Sequence, residues 1–136
     1  MPSWSRWVKA HQPAAQMIGV CASGAPAMER SWRAGQVQEL ERAETIADGI
    51  AVRIPLPEAL ADIMGLVDDI LLVEDDTLVA AMRHAHQELG VVLEPSGAAG
   101  LAALLTYGER FRGQLIGTIL SGGNITTQQM KRWLVP

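Results

Sequence analysis

Cysteine is almost missing from this chain: Cys21 stands alone among 136 residues. One thiol excludes an internal disulfide framework and any metal site built from several cysteines. It fits a reducing compartment, so the expected location is cytoplasmic. Aromatic residues make up only 4% of the chain. Ala, Gly, Leu and Val must therefore fill the interior, which suits helices packed closely on a sheet. No apolar run approaches the roughly 20 residues that span a bilayer, and no apolar stretch follows the early charges as a signal peptide requires. No membrane partner is expected. Basic tracts are lacking too, and the formal net charge of -4 makes nucleic acid a poor partner. Lysine occurs only at Lys9 and Lys131.

What is present is globular in character, with 49% hydrophobic and 19% charged residues. The length supports one core, and no linker, repeat or low-complexity segment divides it, so residues 1-136 read as a single domain. Ser3 to His11 forms an amphipathic helix carrying Trp4, Trp7 and Val8 on one face. That apolar load predicts burial against something. Gln16 to Cys21 reads as a buried strand, and Ala27 to Arg33 as a helix opened near Pro26 and stopped by Gly35. Gln36 to Glu44 is a loop. Pro57 to Met64 is a helix closed by Gly65. Asp69 to Val73 is a second buried strand. Glu74 to Thr77 supplies the cap and acidic first turn of a helix running to Leu89, with Leu78, Met82, Ala85 and Leu89 at helical spacing. A small-residue helix follows from Ser96 to Tyr107. Gln114 to Leu120 reads as a third buried strand, and Thr126 to Leu134 as the last helix. Strand and helix alternate, which predicts an α/β fold with a mostly parallel sheet and helices on both faces.

Three stretches can carry chemistry: Thr45-Ile46-Ala47-Asp48-Gly49, Glu94-Pro95-Ser96-Gly97, and Ser121-Gly122-Gly123-Asn124. The last follows an apolar run, and ligands of open α/β sheets bind outside the carboxyl ends of strands. Two glycines let backbone N–H groups turn toward a ligand. A serine hydroxyl adds one directed hydrogen bond. Taken singly, each stretch also reads as an ordinary turn or helix start.

Together with Leu66-Val67-Asp68-Asp69, these stretches resemble successive motifs of the threonine/serine dehydratase group, which includes serine racemases. These are pyridoxal-phosphate enzymes of the tryptophan-synthase-β-like fold. The resemblance runs from about Ser3 to the end of the chain and covers the C-terminal portion of that catalytic unit. It implies that Ser121 hydrogen-bonds the pyridine nitrogen of pyridoxal 5'-phosphate, and that Gly122, Gly123 and Asn124 shape the turn beside the ring. It implies that the Gly49 backbone and the Glu94 carboxylate lie by the cofactor. A neutral hydroxyl tolerates an unprotonated ring nitrogen. That favours β-elimination of a hydroxy amino acid to a 2-oxo acid and ammonia.

The departures from the family pattern carry their own expectations. Neither Lys9 nor Lys131 sits in the Ser-x-Lys-x-Arg-type motif that holds the cofactor, and no phosphate-cradling glycine loop is present. No catalytic residue is assigned, and the chain is expected to be inactive without a complementary N-terminal part. Racemase-like members bind a cation through acidic residues at positions matching Cys21 and Ala27, so no metal site of that type is expected. The alternatives are a racemase-like or other β-elimination piece, and a non-catalytic α/β module that associates through its Trp-bearing helix. His84 and His86 point to different helix faces, and Cys21 reads as a small core residue.

Overall fold

The structure is a computed structural model that describes residues 4–135. Its centre is a two-stranded parallel sheet, β1 (Ile18–Ala22) and β2 (Asp69–Val73). The register pairs Ile18 with Asp69 and Ala22 with Val73. Alternate residues of a strand face opposite sides. On one side Ile18, Val20, Leu71 and Val73 join the main core. That core is completed by α4 (Asp75–Leu89) and α5 (Ala99–Tyr107). Leu78, Ala81, Met82 and Ala85 of α4 are wholly buried. Burial of a side chain such as Leu78 contributes about 1.5–3 kcal/mol. Ala99, Ala102 and Ala103 make α5 thin enough to lie against both strands. Its Tyr107 hydroxyl donates to the Leu72 carbonyl at 2.8 Å.

The opposite face carries α2 (Ala27–Ala34). Burial pushes the Cys21 thiol up; Glu29 of α2 acts on it too, its backbone hydrogen bond lowering the value and its charge raising it. Arg33 is ion-paired with Glu29 on the same helix and donates to the Ile70 carbonyl at 3.1 Å. Helices thus lie on both faces of a parallel sheet, as the alternation predicts. Gly35 (φ 68°) and Gly90 (φ 67°) end α2 and α4 in the left-handed region, where glycine carries no Cβ penalty. The remaining helices are α1 (Trp4–His11), α3 (Pro57–Ile63) and α6 (Thr127–Trp133). Single 3-10 turns occupy Asp48–Ile50, Ser96–Ala98 and Gly108–Phe111. No helix among the described residues is long and apolar enough to cross a membrane.

Three expectations are corrected. Gln114 to Leu120 is not a buried strand: it joins no ladder, Leu115 is fully exposed and Ile119 is 58% exposed. Both parities of this run are apolar, the pattern of a strand covered on both faces. A strand exists only through its partner, and no described residue pairs with this one. Trp4 and Trp7 are likewise not buried, at 59% and 51% exposure. They stack on each other at 5.4 Å, and Trp7 stacks on His11 at 4.3 Å. Polar ties hold α1 instead, Lys9 to Asp68 and Arg6 to Asp62, each at 2.7 Å. Ser3, where the sequence begins this helix, lies outside the described residues. Third, no side chain caps the start of α4: Glu74 holds the cap position without a side-chain bond.

Candidate functional site

The candidate site forms beyond the carboxyl end of β2, where three chain segments meet. Asp75 is the first residue of α4, which begins just after that strand. Its carboxylate accepts from the Thr45 hydroxyl and, at 2.9 Å, from the Ile46 N–H. The Thr45 oxygen in turn accepts from the Ala47 N–H at 3.1 Å, and Ala47 is completely buried. This ties the Thr45–Gly49 loop to the strand end. The loop finishes in the 3-10 turn, where the Asp48 carboxylate accepts from the Gly49 N–H at 2.8 Å.

Gly49 then meets the second segment. A Cβ at Gly49 would stand 2.7 Å from Ser96 Oγ and 4.0 Å from Glu94 Oε1. Pro95, with φ -54° and ψ -44°, starts the turn that leads into α5, as proline does well at a helix start. The Ala98 N–H donates to the Glu94 carbonyl at 3.2 Å, which closes that turn. Ser96 Oγ is buried and has no hydrogen-bond partner among the described residues.

The third segment is the Ser121–Asn124 turn, and Glu94 holds it at both ends. Its N–H donates to the Gly122 carbonyl at 3.1 Å, and its Oε2 accepts from the Asn124 N–H at 3.1 Å. Gly122 has φ 69°, and a Cβ there would lie 2.6 Å from the Glu94 carboxylate carbon. At Gly123 a Cβ would come within 2.7 Å of the Val92 carbonyl oxygen. These glycines therefore serve the chain's own contacts: they let the turn close over Glu94 and Val92. Beyond the turn, Thr126 and Gln129 form a reciprocal capping box that starts α6. Ser121 is exposed, and its hydroxyl has no hydrogen-bond partner among the described residues.

The structure brings Gly49, Glu94, Gly122 and Asn124 into one connected cluster, with Ser121 and Gly123 in the same turn. Glycines of the Glu94–Gly97 stretch and of the small-residue helix behind it hold it together. A Cβ at Gly97 would fall 1.4 Å from the Ser121 carbonyl oxygen, and one at Gly100 would fall 2.0 Å from Thr118 Oγ1. The available signal was the spacing of Gly97 and Gly100, three apart on one helical face. Asp75 was assigned to a helix start, and nothing in the local sequence revealed that it reaches Thr45. Cys21 lies on β1 and Ala27 at the start of α2. Among the described residues no group of three or more His, Cys, Asp or Glu side chains converges as metal ligands would.

Comparison with known proteins follows the same lines. The family described as "Pyridoxal-phosphate dependent enzyme" matches residues 3–122. The L-threo-3-hydroxyaspartate ammonia-lyase of Pseudomonas sp is 35% identical over 121 residues, covering 89% of this chain and 38% of that protein. Among solved structures, a threonine deaminase from T.th. superposes with a TM-score of 0.84 at 34% identity, over 90% of this chain and 44% of that one. Maize serine racemase gives a TM-score of 0.81 at 32% identity, over 91% of this chain and 39% of that one. The chain thus spans between a quarter and little more than a third of the length of the curated relatives it matches.

Proposed function

This chain belongs to the pyridoxal-phosphate dependent enzymes, and from that membership we propose that it forms the pyridine-facing part of a hydroxy-amino-acid dehydratase. On this reading residues 1-136 are one domain, the C-terminal portion of a catalytic unit that a complementary part completes. The reaction is β-elimination from an amino acid such as threonine or serine, giving a 2-oxo acid and ammonia. The observation that carries the reading is the closure of the Ser121–Asn124 turn on Glu94. It joins two motifs about thirty residues apart, while Gly49 comes within contact range of Ser96 and Glu94.

The residues fit the cofactor in kind. Among the described residues nothing bonds the Ser121 hydroxyl, which leaves it available to the pyridine nitrogen, and the buried Ser96 hydroxyl of the same cluster likewise has no partner among them. Ser121, Gly122, Gly123, Asn124, Glu94 and Gly49 would hold the ring's pyridine side. When bound, pyridoxal phosphate supplies an electron sink for the substrate α-carbon. Ser121 would offer a neutral hydrogen bond, which leaves the ring nitrogen free of an imposed proton. Glu94, fixed by the Asn124 N–H, would hold the turn in place beside the ring. Rigid support of this kind keeps a binding group oriented without reorganisation.

The resemblance to maize serine racemase supports racemisation as a second reading, and product analysis separates the two. The test combines this chain with the part of the Pseudomonas enzyme that lies outside their match. The mixture should retain pyridoxal phosphate and release ammonia from L-threonine or L-serine, and Ser121→Ala should weaken cofactor retention. Formation of the D-amino acid without ammonia would favour the racemase reading. Retention unaffected by Ser121→Ala would remove Ser121 from the site.

A further inference from the structure

One buried hydroxyl in the candidate cluster makes no bond. Ser96 Oγ is one of two buried side-chain polar atoms without a hydrogen-bond partner among the described residues; the other, His86 Nδ1, lies in the last turn of α4. Ser31, also buried, has the ordinary arrangement, since its hydroxyl donates to the Ala27 carbonyl at 2.7 Å. Ser96 does not cap a helix instead: neither its own 3-10 turn nor α5 starts on a side-chain cap bond. A buried hydroxyl left unbonded is costly, so its place in the cluster calls for a reason other than packing.

The surroundings of Ser96 narrow the choice of partner. Its side chain lies directly against Gly49, where a Cβ would stand 2.7 Å from Ser96 Oγ and 3.1 Å from Ser96 Cβ. Glu94 Oε1 stands 4.0 Å from that same Cβ position. The Glu94 carboxylate uses only Oε2, which accepts from the Asn124 N–H; no hydrogen bond among the described residues reaches Oε1. A hydroxyl with a proton to give and a carboxylate oxygen able to accept it therefore flank one glycine. Water cannot serve Ser96 here, because Oγ is shut off from solvent. Gly49 is exposed while the oxygen behind it is not, so Ser96 acts through its neighbours rather than on a bound ring.

We propose that Ser96 is a positioning residue for Glu94. In the assembled catalytic unit its hydroxyl donates to Glu94 Oε1, so that the carboxylate is held on one oxygen by the Asn124 N–H and on the other by Ser96. A hydrogen bond to a charged acceptor is stronger than a neutral one. A carboxylate fixed on both oxygens fixes the Ser121–Asn124 turn that closes on it, and with it the Ser121 hydroxyl. The cost of the unbonded hydroxyl is then offset on assembly. The proposal rests on the functional reading for the assembled unit, and one arm of its test needs neither cofactor nor partner.

The first arm is urea unfolding of the full 136-residue chain. Ser96→Ala should raise the urea midpoint, because it removes a hydroxyl that is buried and unbonded. Ser31→Ala is the control and should lower it, since that hydroxyl has a bond to lose. The second arm mixes this chain with the part of the Pseudomonas enzyme outside their match and reads retention of pyridoxal phosphate after dialysis. Ser96→Ala should weaken retention about three- to tenfold, the worth of one ordinary hydrogen bond. Ser96→Thr keeps the hydroxyl and should restore it. In a Glu94→Ala background Ser96→Ala should add nothing, since Ser96 acts through that carboxylate. A lower urea midpoint for Ser96→Ala overturns the proposal, as does unchanged retention or full additivity with Glu94→Ala. A parent mixture that retains no cofactor counts against the functional reading, and the urea arm then decides the role of Ser96.

Discussion

Gly97 lies so close to Ser121 that a single methyl group on its α-carbon would stand 1.4 Å from the Ser121 carbonyl oxygen. The position of the candidate cofactor turn is thus set by a residue without a side chain, just before α5.

Gly97→Ala should force the Ser121–Asn124 turn outward. Overpacking of this kind costs about 1–3 kcal/mol, read by urea denaturation. Gly117→Ala is the control, because nothing lies within 4 Å of its Cβ and its φ is not positive. That variant should stay within about 0.5 kcal/mol of the parent.

Asp75→Ala should release the Thr45–Gly49 loop. Two donors, the Thr45 hydroxyl and the Ile46 N–H, would lose their acceptor. The cost is about 1–3 kcal/mol, and amide exchange at Ile46 and Ala47 should quicken while α5 is unchanged.

Met82→Ala tests the core that supports the site. Met82 is fully buried between α4 and its neighbours, and truncation there costs about 2–5 kcal/mol. The measured loss should exceed that of Leu89→Ala, since Leu89 is 60% exposed.

Acid should loosen the start of β2. The Lys9 ammonium, with the Met17 N–H, holds the Asp68 carboxyl below the usual range. Arg110 foremost, with the Ile70 N–H and Arg33, does the same for Asp69. A depressed folded value gives stability that is present above the unfolded value of about 3.9 and lost as pH falls through the folded one. Melting temperature should therefore drop below about pH 4. Asp69→Asn should flatten part of that drop, by a modest amount because these pairs are partly exposed.

The sequence was legible where local chemistry decides the outcome. Asp69–Val73 and the helix ending at Gly90 appear as read, because a β-branched run and a left-handed glycine specify themselves. Gly49, Glu94 and the Ser121–Asn124 turn are neighbours in space, whereas Leu66–Asp69 leads into the opposite, amino end of β2. Gln114–Leu120 was misread for a physical reason. Its composition specifies a strand, but strand formation also needs an edge to pair with. The Trp4–Trp7 pair was misread similarly: an apolar stripe calls for cover, and the described residues offer α1 salt bridges instead. The role of Asp75 and the particular contact of Gly97 with Ser121 were invisible because they join residues about 30 and 24 positions apart.

The parallel register of β1 and β2 has a consequence for folding. Met17 and Asp68 meet across 51 positions, whereas Glu94 and Asn124 meet across 30. Contacts that close larger loops carry a greater entropic cost and tend to form later. The α4–α5 pair and the Glu94-held turn should therefore assemble first, and β1 should add to an already ordered β2. In stopped-flow experiments, substitutions in α4 should slow refolding, while substitutions in β1 should chiefly hasten unfolding.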